Sequence, residues 1–247
     1  MSISDQKVLS PSQISAFYHD DFVESQVRDF SQLILSKDDK VGLVVDIGGG
    51  CGYFAESLIR DHGLDVRVID IDEKSVAECK SKGIDANIGN ALAPGKNDDE
   101  SVVCFNLILH HLVSKNEKLS RDLQVAALEY WRNQPVRIFV NEYIYDSYFG
   151  MLSGRLIYEI TRSRFLSVAA GLVARAVPSL RANTFGIGVR FRAHEEWLAL
   201  FNSIGFEVIA YARGSEEHVS LARRMLLIRS CRRDSYVLRE NLLACGV

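Results

Sequence analysis

The residues from Val44 to Phe54, VVDIGGGCGYF, join an apolar run, one carboxylate and a cluster of glycines. A turn made by Gly48, Gly49, Gly50 and Gly52 lets the backbone pass directly beneath a ligand, because no Cβ stands in the way. Two nucleotide chemistries fit such a turn. Gly50-Cys51-Gly52-Tyr53-Phe54-Ala55 matches G-x-G-x-x-A, and Asp70 follows Gly50 by 20 residues, where the ribose-binding acid of a dinucleotide site belongs. Asp46 argues for the other chemistry. Its carboxylate, just before the glycines, disfavours a pyrophosphate but accepts hydrogen bonds from an α-ammonium group. Farther along, SVVCFNLILHHL ends in His110 and His111. Histidine accepts a proton near neutrality without a large perturbation. VRIFVNEYIYDSYFG then brings Asn141, Glu142, Tyr143, Tyr145 and Tyr148 to the end of the next apolar run. Glu142 is a second candidate base, and the tyrosines offer aromatic walls with polar ends or simply pack across strands.

These residues need elements to hold them. VGLVVDIGGG, VRVIDID, IDANIGNAL, SVVCFNLILHHL and VRIFVNEYIYD have the length and apolar content of strands. Between them lie the helical segments YFAESLIRDHG and EKSVAECKSKG, each closed by a glycine, and a helix from Ser120 to Arg132. Such alternation predicts an α/β doubly wound, mostly parallel sheet with helices on both faces. Its ligand belongs outside the carboxyl ends of the strands, near the switch between the first and fourth.

Residues 12–36 carry apolar side chains at helical spacing and predict an arm lying on the main domain. After the fifth strand the alternation stops. Residues 145–192 read as a helical insertion rooted beside the active edge, where lids sit. The insertion carries Arg155, Arg162, Arg164, Arg175, Arg181, Arg190 and Arg192 against only Asp146 and Glu159. A planar guanidinium suits a carboxylate or phosphate, so a substrate with an acidic group is one reading. A solvated ion-pair face formed by Arg155, Glu159 and Arg162 is another. The helix HEEWLALFNSIG follows, and FEVIAYARG with RRMLLIRS predicts a closing antiparallel pair.

Composition narrows the classes. Of 247 residues, 47% are hydrophobic and 25% charged, with only 4 prolines, as in an ordinary globular chain. No apolar run reaches the roughly 18 residues of a membrane span, and MSISDQKVLS lacks the basic start and apolar core of a secretory signal. Five cysteines without a CxxC pair predict reduced thiols in a cytoplasmic protein, with neither a metal site nor a disulfide framework. A net charge of -3 gives no reason to expect nucleic acid.

VVDIGGGCGYF, VRVIDID, GNAL, CFNLILHHL and HEEWLALFNSIGFEVI, in this order, resemble the class I S-adenosylmethionine-dependent methyltransferases, Rossmann-like and of the small-molecule type. The resemblance covers roughly residues 40–144 and 193–229. It implies a seven-stranded sheet with an antiparallel last pair, S-adenosylmethionine as cofactor, and no metal. Its acid-x-Gly-x-Gly-x-Gly block falls on Asp46, Gly48, Gly50 and Gly52, and its acid after strand two on Asp70, with Asp72 as the fallback. Asn90 stands where relatives often carry an acid near the adenine amino group; an amide carbonyl can still accept that hydrogen bond. Gly49, Ile71, Ala91 and Asn106 complete the implied cofactor set. His110, His111 and Glu142 are the catalytic candidates, and Tyr18, Tyr143, Tyr145, Tyr148, Arg190 and Arg192 the substrate-binding ones. The expected division is an arm at 1–39, a core at 40–144 and 193–230, a lid at 145–192 and a tail at 231–247. The implied reaction is methyl transfer to a small organic acceptor, at oxygen. Alternatives are a protein or RNA methyltransferase, or a non-catalytic partner subunit of the same fold; a homodimer is left open.

Overall fold

The computed structural model of the chain describes residues 20–37, 40–97, 99–163, 165–168, 170 and 188–241. Seven strands form one sheet: β1 (Leu43–Ile47), β2 (Val66–Asp70), β3 (Asp85–Ile88), β4 (Glu100–Asn106), β5 (Arg137–Ser147), β6 (Phe206–Ala212) and β7 (Ile228–Glu240). Their order is β3-β2-β1-β4-β5-β7-β6. The first five run parallel, and β7 lies antiparallel to both β5 and β6.

The strands are apolar on both sides because the sheet is covered on both sides. Successive residues alternate between two cores. Val45, Ile47, Val103, Phe105, Ile138 and Val140 face one layer, with Trp131, Trp197 and Phe201. Val44, Val102, Cys104 and Phe139 face the other, with Phe30, Phe54 and Leu58. Helix α1 (Asp20–Leu33), within the expected arm, is seated in this second core: Phe30 is fully buried, edge-on to Phe54 at 5.8 Å and to Phe139 at 5.4 Å.

Helix α2 (Tyr53–His62) starts at Gly52 and stops at Gly63, whose left-handed backbone returns its N–H to Ile59. Helix α3 (Glu73–Ser81) is capped by Asp72, which accepts from the backbone of Ser75. Helix α4 (Glu117–Glu129) begins three residues earlier than the apolar pattern suggests, because Asn116 caps it through Leu119 N–H. After β5 come α5 (Leu152–Arg162), α6 (His194–Ser203) and the short α7 (Leu221–Met225). The insertion is thus helical where α5 describes it, and Arg164, Arg175 and Arg181 lie outside the described residues. Among the described residues, no helix is long and apolar enough to cross a membrane.

Two local expectations are corrected. His110 and His111 do not end a strand: β4 stops at Asn106, Leu107 adopts a left-handed backbone (φ 54°), and Leu109–His111 is a 3-10 turn. Residues 231–240 are not a tail, and RRMLLIRS is not the last strand. Arg223–Met225 are helical behind the Ser220 cap, and β7 takes in Ile228–Glu240. The sequence RSCRRDSYVLRE hides this strand, since its inward positions include Arg232 and Asp234, both buried.

Phe30→Ala should lower the unfolding free energy by about 3–5 kcal/mol, the usual cost of an emptied aromatic site. Urea denaturation followed by tryptophan fluorescence measures it, and a loss under about 1 kcal/mol would return α1 to the status of an arm.

Candidate active site

The glycine turn closes over Asp46. Gly48, Gly50 and Gly52 have φ of 70°, 55° and 76°, which side chains rarely adopt. Packing makes the same demand: a Cβ at Gly48 would sit 2.7 Å from Ile108, and one at Gly49 2.4 Å from the Asp46 carboxylate. Asp46 is buried at the end of β1. Asn106, on the adjacent strand β4, donates its Nδ2 to Asp46 Oδ1 at 3.1 Å. Asp46 Oδ2 and Asn106 Oδ1 are both buried and have no hydrogen-bond donor among the described residues. Burial, with Asp70 nearby and despite the Asn106 hydrogen bond, pushes the Asp46 carboxyl up to about 7.

Asp70 ends β2 and braces the turn. One oxygen accepts Gly50 N–H at 2.9 Å and the other Asp72 N–H at 2.8 Å. Burial raises its pKa, and those N–H groups counteract part of the rise. Asp72 is occupied as the cap of α3, through Ser75 N–H and Oγ. Ile71 is half-buried between them. Asn90 turns its side-chain oxygen onto Leu92 N–H at 2.9 Å, and Ala91 is packed into the first core. One lone pair of the Asn90 carbonyl thus remains for a ligand.

The histidine turn sits beside the glycines, with Ile108 against Gly48. Its anchor is Glu142 on β5, which is fully buried. Oε1 accepts the backbone N–H of Leu109 at 2.7 Å and of His110 at 3.4 Å, and Oε2 lies 2.6 Å from His110 Nδ1. His110 Nδ1 is thereby engaged by Glu142, and Nε2 is the ring nitrogen outside that contact. Glu142 thus ties the turn Leu109–His111 to β5 through three contacts. Burial, with His110 beside it, drives the His111 imidazolium well below the usual range, so His111 is neutral. Its ring lies 4.2 Å from that of His110.

Around His110 stand Phe191 at 4.9 Å and Tyr143 at 6.1 Å between ring centroids, and Tyr145 stacks on Phe191 at 4.3 Å. Phe191 is a wall residue the sequence reading passed over, because it lies between the two arginines that drew attention. Burial raises the phenol pKa of Tyr143 and of Tyr145, so both stay protonated. Tyr148 is exposed, and Tyr18 lies outside the described residues.

Arg190 and Arg192 take a different role from the one expected. Arg190 is fully buried; it donates to Glu117 and to Glu196 at 2.6 Å each, and to the carbonyl of Phe191. Arg192 donates to Gln124 at 2.7 Å and to Glu117 at 3.0 Å. Their charges are matched between the first turns of α4 and α6. They staple the return of the insertion to the core, and Arg192 Nη2 is buried without a hydrogen-bond partner among the described residues.

No family model and no curated protein matches the chain. Solved structures do. The MccD protein aligns over 88% of this chain and 96% of its own, with a TM-score of 0.57 and 12% identity. Magnesium protoporphyrin IX methyltransferase from Synechocystis PCC 6803, solved with bound SAM, aligns over 87% of this chain and 78% of its own, with a TM-score of 0.52 and 13% identity. The fold is that of the class I S-adenosylmethionine-dependent methyltransferases. The [4+2]-cyclase SpnF shares it, over 88% of this chain and 81% of its own, with a TM-score of 0.55 and 12% identity. At these identities the likeness is one of architecture, so the chemistry of this methyltransferase-fold chain must be argued from its own residues.

Arg190→Met leaves the carboxylates of Glu117 and Glu196 short of their main partner. It should cost about 3–5 kcal/mol of stability by chemical denaturation, the scale of a broken buried ion pair. Arg190→Lys should recover little, because one ammonium cannot span both acids.

Proposed function

We propose that the chain is an S-adenosylmethionine-dependent methyltransferase that methylates a small organic acceptor at oxygen. The observation that carries the cofactor assignment is the pair of buried acceptors, Asp46 Oδ2 and Asn106 Oδ1, which lack donors beside an intact glycine turn. An α-ammonium group supplies such donors together with the positive charge that a buried carboxylate needs. Asp46 and Asn106 would hold the amino acid end, the Gly48–Gly52 turn would lie beneath it, and Asp70 and Asn90 would meet the nucleoside. When bound, the cofactor supplies an electrophilic methyl group.

The chain's own residues do the rest. Glu142 fixes the tautomer of His110 and leaves Nε2 free to take a proton from an acceptor hydroxyl. A hydroxyl needs that base, whereas a neutral amine or a thiolate needs only placement, and this favours oxygen as the acceptor atom. Tyr143, Tyr145 and Phe191 wall the space around His110 and hold water away from it. The intact turn also weighs against a non-catalytic partner subunit.

The pH dependence of binding tests the cofactor site. Burial lifts the Asp46 carboxyl to about 7 in the ligand-free protein, well above the ordinary carboxylate range. An ammonium ligand favours the ionised form, so affinity for S-adenosylmethionine should be highest above pH 7 and fall by up to about tenfold per pH unit below it. Asp46→Asn should flatten that profile and weaken binding at pH 8 by about 10- to 100-fold, the worth of a charge-assisted hydrogen bond. Ligand-free stability should move the other way. A carboxyl raised on folding costs stability as pH rises from 4 to 7 and fully above it, so Asp46→Asn should raise the ligand-free Tm at pH 8. Calorimetric titration decides the matter, and a flat wild-type profile would remove the ammonium contact.

For the reaction, methyl-labelled cofactor is offered with a panel of small phenols and hydroxy acids. His110→Asn should lower turnover by about 10²- to 10⁴-fold while leaving cofactor Kd within about threefold. Equal loss of both would make His110 a structural residue.

A further inference from the structure

Strands β5 and β7 outrun the rest of the sheet. The pairing of β4 with β5 ends at Asn106 and Asn141, and that of β6 with β7 ends at Ala212 and Ser235. Beyond those points Glu142–Ser147 and Ile228–Asp234 continue as a two-stranded ribbon past the carboxyl edge, next to His110. Residues opposite one another share a face. Glu142, Ile144 and Asp146 with Asp234, Arg232 and Ser230 make one face; Tyr143 and Tyr145 with Arg233 and Cys231 make the other.

The first face is electrostatically closed. Arg232 donates to Asp146 at 2.5 Å and to both oxygens of Asp234 at 2.9 and 3.1 Å, and Asp234 also accepts Tyr211 O–H and Gly214 N–H. The second face packs Tyr143 and Tyr145 onto the buried Cys231. Arg233 has 17% of its side chain exposed, and its guanidinium lies 4.2 Å from the Phe22 ring of α1. Its Nη1 is buried and has no hydrogen-bond partner among the described residues. Among the described residues, Glu217 is paired with Arg233 at 4.0 Å from Nε, outside hydrogen-bond range, and is also drawn to Arg223 at 3.8 Å and to the Cys231 thiol at 3.8 Å. Directly across the strands is Tyr143, whose ring borders His110. Ile157 of α5 packs over Tyr143 and Tyr145 from the insertion.

A buried guanidinium N–H with no acceptor is costly and is tolerated where a ligand supplies one. We infer that Arg233 is a specificity-determining residue that receives a carboxylate of the methyl acceptor, whose body lies against Tyr143 and Phe191. The planar fork suits a carboxylate. Its single charge matches a monoanion, whereas a phosphate dianion would set a second negative charge beside Glu217. The acceptor class is therefore a small aromatic hydroxy acid. This rests on the methyltransferase reading above only for the position of the reacting hydroxyl.

The test measures binding of benzoate, benzamide and phenyl phosphate to the full chain saturated with S-adenosylhomocysteine, with affinity for that nucleoside measured in parallel. Benzoate should bind at least about tenfold tighter than benzamide, about 1.4 kcal/mol, and tighter than phenyl phosphate. Arg233→Met keeps the apolar stem over Phe22 and removes the fork, and should erase the preference with nucleoside affinity unchanged. Glu217→Gln withdraws the competing carboxylate and should tighten benzoate binding several-fold, which keeps the test decisive if Arg233→Met fails to fold. Equal binding of benzoate and benzamide to the wild-type chain, a preference that survives in Arg233→Met, or a preference for phenyl phosphate would each overturn the inference. If the chain ignores the nucleoside but keeps an Arg233-dependent benzoate preference, the carboxylate site stands and the methyltransferase reading fails.

Discussion

One buried carboxylate, that of Glu142, organises the active edge. It is fully enclosed at the point where β5 leaves the company of β4, and it takes two backbone N–H groups of the turn Leu109–His111 as well as His110 Nδ1. A carboxyl group in such a place is tolerable only when its polar atoms meet well-placed partners. That requirement bends the chain after β4 into a 3-10 turn, orients the imidazole and sets Ile108 against Gly48. The histidine turn, and through Ile108 its seat against the glycine turn, are thus tied to one buried side chain.

The return of the insertion is held by the same logic with the signs reversed. Arg190 and Arg192 are buried cations held by Glu117, Glu196 and Gln124, with Arg192 Nη2 left without a hydrogen-bond partner among the described residues. Arg190 N–H also bonds to the carbonyl of His110, and Gln124 to that of Leu109. Thus α4, α6 and the segment around Phe191 converge on the turn that Glu142 anchors. Charge inside this protein works as a positioning device wherever its partners are complete. Asp46 and Arg233, like Arg192, each keep a buried polar atom without a hydrogen-bond partner among the described residues.

Most of the architecture was legible in the chain. Apolar runs ending in turn residues, separated by helical periods, give the parallel half because buried parallel strands have no polar face to obscure them. The glycine turn was readable for a related reason: left-handed backbone at Gly48, Gly50 and Gly52 leaves few other residue types. What stayed hidden depends on pairing across long separations. Strand β7 reads as a polar segment because Arg232 and Asp234 neutralise each other and only then become interior residues. Arg190 and Arg192 read as ligand-binding cations because Glu117 lies more than seventy residues away. Glu142 looked like a base, and nothing local reveals that the N–H groups of Leu109 and His110 already occupy it.

The place of β7 also has a consequence for how the chain assembles. It comes last among the described strands yet lies inside the sheet, between β5 and β6. Until Ile228–Glu240 has left the ribosome, the outer edge of β5 has no ladder partner and β6 has no sheet to join. The segment carrying β1 to β5 can collapse first on its shorter-range parallel pairings, while the ribbon and the surroundings of Arg233 wait for contacts that span nearly a hundred residues. During that interval β5 presents an unpaired, strongly apolar edge, an exposure that favours association between nascent chains. The ribbon that carries Arg233 is then the last part of the sheet to form, and a chain stalled before β7 would carry a nearly finished glycine turn without it.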